Sequence, residues 1–324
     1  MSELPSTFFV VCWGWIGLLV GSFLNVAIHR LPLEEESVSK PRRSRCPSCK
    51  TTLTWKENVP VVSWLLQLGR CRHCRWPIPW RYPLVELLTA GLFATVVWLQ
   101  RDALYVVSDA AGPGGGLSVS TLALILVQSV VLAGLIVATF VDFDYFEIPD
   151  EVSKGGMALA PLASFLVPAL HVSTRVAQEF SEGPGVDRTG ALMGSLAGLA
   201  VGGGVLWLLG WVGSRVYGRD AMGFGDVKLL AAGGGFVGPG GALVALLCGT
   251  LVASVVGILN MLRYTLLVRS RARARGGRRS FGQALRVGRI AGRYLPFGPY
   301  LALGIGITLL AWNDVLTLLE AALF

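Results

Sequence analysis

Long apolar runs alternate with short polar connections along the whole of this 324-residue chain. Eight runs stand out, at about 7–28, 83–100, 119–141, 153–170, 190–213, 227–238, 241–262 and 295–320. They lack the two-residue alternation of strands, and most approach the ~20 residues that a helix needs to cross a bilayer. The sixth is short, ending at Gly238-Pro239-Gly240, and predicts a tilted or partial span. The first is too long, and too little basic at its start, for a cleaved signal peptide. The fold class expected is an all-α integral membrane protein of about eight transmembrane helices. One long polar loop interrupts the pattern, so the chain divides into a first helix at 1–28, a loop at 29–82 and a helical bundle at 83–324.

Composition agrees with the pattern. The chain is 53% hydrophobic and only 15% charged, too little charge for the surface of a soluble protein this long. Its 41 glycines suit helices that approach closely in lipid.

Charge then orients the layout. Loop 29–82 carries eleven Lys and Arg, Lys154 adds one, segment 214–228 three, and segment 263–293 ten, all Arg. All fall on one side of an eight-span arrangement, and the other side holds only Arg101, Arg175 and Arg188. This places loop 29–82 in the cytoplasm and both termini outside. The net charge of +8 is then mostly topology. The Arg-rich stretch 269–279 is read as an anchor against anionic membrane lipid, not as a nucleic-acid site.

The cytoplasmic loop contains Cys46-Pro-Ser-Cys49 and Cys71-Arg-His-Cys74, with 21 residues between the pairs. Two C-x₂-C turns at such spacing can point four sulfurs at one centre. Four thiolates close a tetrahedron around zinc with no open position, so Cys46, Cys49, Cys71 and Cys74 predict a structural zinc site. A reducing cytoplasm argues against disulfides. His73 lies inside the second pair and is expected to be exposed. Cys12 and Cys248 fall in apolar spans and are expected to be packing residues.

Acidic residues at span ends are the remaining chemistry. Asp142 follows the third span and Asp226 precedes the sixth, and the charge asymmetry puts both at the cytoplasmic face. A carboxylate there costs free energy unless it is paired or used. Two held close cannot both ionise easily. The ionised one can take a proton from water, and the protonated one can hydrogen-bond a scissile carbonyl. Asp144 and Asp150 are equally near the boundary, so position alone does not choose Asp142 over Asp144. Gly223 and Gly225 flank Phe224 and would permit a close approach beside Asp226. Pro149 is expected to stop any helical continuation, and Asp150 to cap the next helix.

These residues together resemble the bacterial type IV prepilin peptidases. The matching stretches are Gly21-Ser-Phe-Leu-Asn25-Val, Cys46 to Cys49, Glu57-Asn-Val-Pro60 with Ser63-Trp64, Cys71 to Cys74, Arg81-Tyr-Pro-Leu-Val-Glu86, Asp142-x-Asp144 with Pro149-Asp150, and Met222-Gly-Phe-Gly-Asp226-Val-Lys228-Leu. The resemblance implies a GxGD-type membrane aspartyl peptidase. Such enzymes cleave the basic leader of type IV prepilins and type II secretion pseudopilins after a Gly at the cytoplasmic face of the inner membrane. They then methylate the new N-terminus with S-adenosylmethionine. It implies Asp142 and Asp226 as the catalytic pair, and loop 29–82 with Glu86 as the region of methyl transfer. Glu86 reads equally as a binder of amine or cofactor and as a buried partner for Arg81. Glu34, Glu35 and Glu36 read better as a solvated loop than as a site for the basic leader. Other readings are an intramembrane GxGD protease of the presenilin kind, a cation-coupled transporter and a zinc-dependent scaffold. The four-Cys loop and the Asp-x-Asp motif count against the first. The position of the acids at one face, away from the midplane, counts against transport.

Overall fold

In a computed structural model, residues 6–32, 44–106, 116–183, 185–218, 222–274, 281–291 and 295–323 are described. Glu34, Glu35 and Glu36 lie outside them, as do residues 275–280 of the Arg-rich stretch. The elements in chain order are α1 (Ser6–Arg30), a short α2 (Val62–Leu66), α3 (Arg81–Leu99), a strand pair β1 (Tyr105–Val106) and β2 (Gly116–Leu117), α4 (Val119–Tyr145) and α5 (Asp150–Leu166). They continue with a short α6 (Arg175–Glu179), α7 (Arg188–Tyr217), α8 (Phe224–Ala274), α9 (Phe281–Ala291) and α10 (Gly298–Leu323). The two-residue antiparallel pair is the only sheet among the described residues.

Among the described residues, five helices, α1, α3, α4, α7 and α8, are long and apolar enough to cross a membrane, and Gly298–Trp312 is a shorter apolar helix. The continuity of α8 is only nominal. Gly238 inside it has φ 78° and ψ 174° and is followed by Pro239, a backbone that an L side chain rarely adopts. The chain reverses there. A Cβ on Gly233 would meet Ile305 at 2.5 Å, and one on Gly304 would meet the Ala245 carbonyl at 2.1 Å. Residues twelve apart along a straight helix would be about 18 Å apart, yet both abut neighbouring residues of α10. The break falls where the sequence placed it, and α8 supplies the segments expected at 227–238 and 241–262.

Buried apolar side chains from α3, α4, α7, α8 and α10, among them Val96, Leu132, Leu206, Leu229, Leu301 and Ile305, form the main core. Close helix pairs rest on missing side chains. A Cβ on Gly198 of α7 would lie 1.9 Å from the Gly234 carbonyl of α8. Beside this core, α1 packs along α3. The indole of Trp13 ties this pair to α4 by donating to Ser129 Oγ at 2.9 Å.

Candidate active site

Four aspartates gather where α4, α5 and α8 meet, and their partners separate them. Asp144 Oδ2 accepts from Arg81 Nη1 at 2.5 Å, and the same guanidinium lies over the ring of Phe140. Asp150 is met by Lys154, at 2.6 Å, and by Lys228. Two of the four acids are thus neutralised by cations. Asp142 and Asp226 have no cation partner among the described residues. Asp150 does not cap α5 as expected. Pro149 holds the N-cap position and Asp150 is the first helical residue, where its carboxylate serves the two lysines.

Local structure explains how the two unpaired acids are presented. The third span was expected to end at Val141, but α4 continues to Tyr145. It stops at Phe146, whose left-handed backbone (φ 58°) lets its N–H bond to the Asp142 carbonyl. Asp142 therefore sits in a last helical turn and is buried. Its Oδ2 accepts the backbone N–H of Gly298 at 3.0 Å, at the start of α10. Asp226 lies in the first turn of α8, half-buried. Ile148 ties the two ends together: a Cβ on Gly225 would lie 3.3 Å from Ile148 Cβ, and one on Gly298 3.1 Å from Ile148 Cδ1. Gly225 accordingly makes room for Ile148, while Gly223 stays exposed beside the site.

The four loop cysteines converge. Their sulfurs all lie within 4.8 Å of one another, and Cys46 and Cys74 Sγ are 3.7 Å apart. A tetrahedron with metal–sulfur bonds of ~2.3 Å requires sulfurs ~3.8 Å apart, so the cluster fits a metal of that kind. Both C-x₂-C turns are built alike. The Cys46 N–H bonds to the Thr51 carbonyl and the Lys50 N–H to the Cys46 carbonyl; Cys71 with Trp76 and Arg75 repeats this. Lys50 and Arg75 have positive φ at corresponding places, and bridges Arg45–Thr52 and Arg70–Pro77 close the two turns. The hydroxyl and amide of Thr51 hold the Cys49 thiol down to about 6. The amides of Cys74 and His73 lower that of Cys71. Burial pushes the Cys46 thiol up to about 11. Four adjacent thiolates repel one another without a cation, and the donors lie where thiolate ligands need them. His73 is no ligand: its Nε2 lies 3.3 Å from Glu57 Oε1 and its side chain is half-exposed.

Two family models match the chain. The bacterial peptidase A24 N-terminal domain covers residues 15–100, and the type IV leader peptidase family covers residues 129–258. A prepilin leader peptidase/N-methyltransferase of Aeromonas hydrophila is 33% identical over 93% of this chain and 89% of its own length. The chain belongs to the type IV leader peptidase family. The relative of the same name from Pseudomonas aeruginosa is 31% identical over 95% of this chain and 92% of its own. That from Myxococcus xanthus is 35% identical over 81% and 67%. No solved structure matches.

Within this leader-peptidase chain, Glu86 departs from one of its two expected roles. It is buried and does not pair with Arg81, which is engaged by Asp144. Its Oε2 accepts the Val61 amide at 2.7 Å, and the Ser22 hydroxyl also bonds to its carboxylate. Glu86 thus braces the polar loop against α1 and α3. Sequence reasoning missed Gly298 and the cation partners of Asp144 and Asp150. The run Phe297-Gly298-Pro299 carried a signal for a helix start, but nothing in it pointed to Asp142, 156 residues away.

Proposed function

We propose that this chain is an inner-membrane prepilin leader peptidase with Asp142 and Asp226 as its catalytic pair. It cleaves the basic leader of type IV prepilins and type II secretion pseudopilins after a Gly at the cytoplasmic face, and methylates the new N-terminus. The observation that carries the reading is the sorting of the acids. Of four aspartates at one end of the bundle, two are neutralised by Arg81, Lys154 and Lys228, and the other two, without a cation partner among the described residues, lie on segments that Ile148 joins. Like charges brought together favour a singly protonated pair. The ionised carboxylate takes a proton from water, and the water oxygen bonds to the scissile carbonyl carbon. The protonated partner gives its proton to the carbonyl oxygen, forming a gem-diol. The C–N bond then breaks as the first acid protonates the leaving nitrogen and the second recovers a diol proton. Both acids return to their starting states.

The layout supports a substrate held partly in lipid. In this reading an eight-span arrangement has loop 29–82 and both aspartates in the cytoplasm and both termini outside, with the bundle at 83–324 carrying the peptidase. A prepilin's apolar helix would lie in the bilayer with its leader at the surface. Cys46, Cys49, Cys71 and Cys74 are assigned to a structural zinc, whose role is to staple a loop too small to hold its shape unaided. The methyl donor is S-adenosylmethionine by family likeness. Glu86 is engaged by Val61 and Ser22 and is a brace in this reading. Nothing in family membership favours the transporter or presenilin-type alternatives.

Incubation of the purified protein in detergent with a prepilin and S-adenosylmethionine tests the proposal by mass spectrometry. Release of the leader after its terminal Gly, with a methylated new N-terminus, is the expected result. An intact prepilin would sink the peptidase reading, and a cut inside the apolar helix would transfer it to the intramembrane-protease class.

A further inference from the structure

The two acids of the proposed pair are held differently. Asp142 Oδ2 accepts the Gly298 N–H at 3.0 Å in a buried setting, whereas Asp226 has no hydrogen bond to a described residue. The contact depends on a bare backbone at 298. A Cβ there would lie 2.6 Å from Asp142 Oδ2 and 3.2 Å from its Cγ. Pro299 has no N–H to offer, so the Gly298 amide is the donor that this end of α10 turns toward α4.

We propose that the Gly298 amide is a positioning group that sets the division of labour. It holds Asp142 as the ionised member, which takes the proton from water, and leaves Asp226 as the protonated member, which donates to the scissile carbonyl. The inference rests on the aspartyl-pair reading above. An N–H donated to a carboxylate favours its charged form, and the start of a helix adds positive potential there. Among the described residues, the surrounding cations do not compete for Asp142. From α3, Arg81 is taken by Asp144. From α5 and α8, Lys154 and Lys228 are both taken by Asp150. Residues 298–312 of α10 contain no charged side chain, and α8 contributes Asp226 itself. The C-terminal end of α4 and the N-terminal end of α8 favour the opposite division, but a helix end acts more weakly than a direct hydrogen bond to a charged acceptor. Asp142 gains the proton that water loses, the hydroxide oxygen bonds to carbon, and the carbonyl oxygen gains the proton that Asp226 loses.

The test is the pH–rate profile of leader release. Replacing residue 298 by glycolic acid through a suppressor tRNA substitutes an ester oxygen for the N–H and adds no bulk. The acid-side limb, which reports ionisation of the water-activating acid, should move up by about one pH unit while the alkaline limb stays. Gly298→Ala keeps the N–H but crowds the carboxylate, and should move the same limb in the same direction with a lower maximal rate. Gly257→Ala, where a Cβ meets nothing within 4 Å, should leave the profile unchanged. A lower rate with neither limb moved would make Gly298 a packing residue and overturn the proposal. Movement of the alkaline limb alone would reverse the roles. Cleavage by Asp142→Asn or Asp226→Asn would instead defeat the pair reading itself, whatever the limbs do.

Discussion

Asp142 and Asp144 lie on the same helical turn, two residues apart, and differ in who meets them. Asp144 takes Arg81, and Asp142 takes an amide. The residues alone left this choice open, because the partner that sets Asp144 apart lies 63 positions away in sequence. Arg81 and Asp144 are both about one-third exposed, so their ion pair contributes at most about 1 kcal/mol. Arg81→Gln should therefore shift the thermal unfolding midpoint by only a few degrees and keep leader release within about tenfold of wild type. Loss of release on the scale of an active-site substitution would mean that Arg81 belongs to the chemistry. The cysteine positions were legible for the opposite reason: each knuckle is built within six residues, so spacing carries the geometry.

At the scale of elements, the apolar pattern found α1, α3, α4, α5, α7, both limbs of α8 and α10, because burial in lipid demands long internally bonded helices. The break at Gly238-Pro239 was visible because Pro and Gly punctuate backbone locally. The helix ends were less visible. Continuation of α4 to Tyr145 depends on Phe146 adopting a left-handed backbone, a conformation that its residue type does not advertise. The loop after α1 is held by two devices, the Cys cluster and the Glu86 brace, and only the first was legible. Cys46→Ser combined with Cys71→Ser removes one ligand from each knuckle. Metal content measured by plasma mass spectrometry should fall from about one zinc per chain to near none. An unchanged content would refute the site.

At the scale of the molecule, counting Lys and Arg brought Asp142 and Asp226 to one face before any contact was known. The bundle adds what counting cannot: α10 returns from the far end of the chain to seat its first residue on Asp142, and Ile148 joins that seat to the start of α8. The site is thus assembled from segments far apart in sequence, and cation pairing separates Asp144 and Asp150 from Asp142 and Asp226. The measurement that bears most directly on this account is leader release by purified Asp142→Asn, Asp144→Asn, Asp150→Asn and Asp226→Asn side by side on one prepilin. The variants at 142 and 226 should each lose about 100-fold or more, the scale of a lost general acid or base, while those at 144 and 150 stay within about tenfold of wild type. Cleavage retained at 142 or 226, or an equal loss at all four positions, would contradict it.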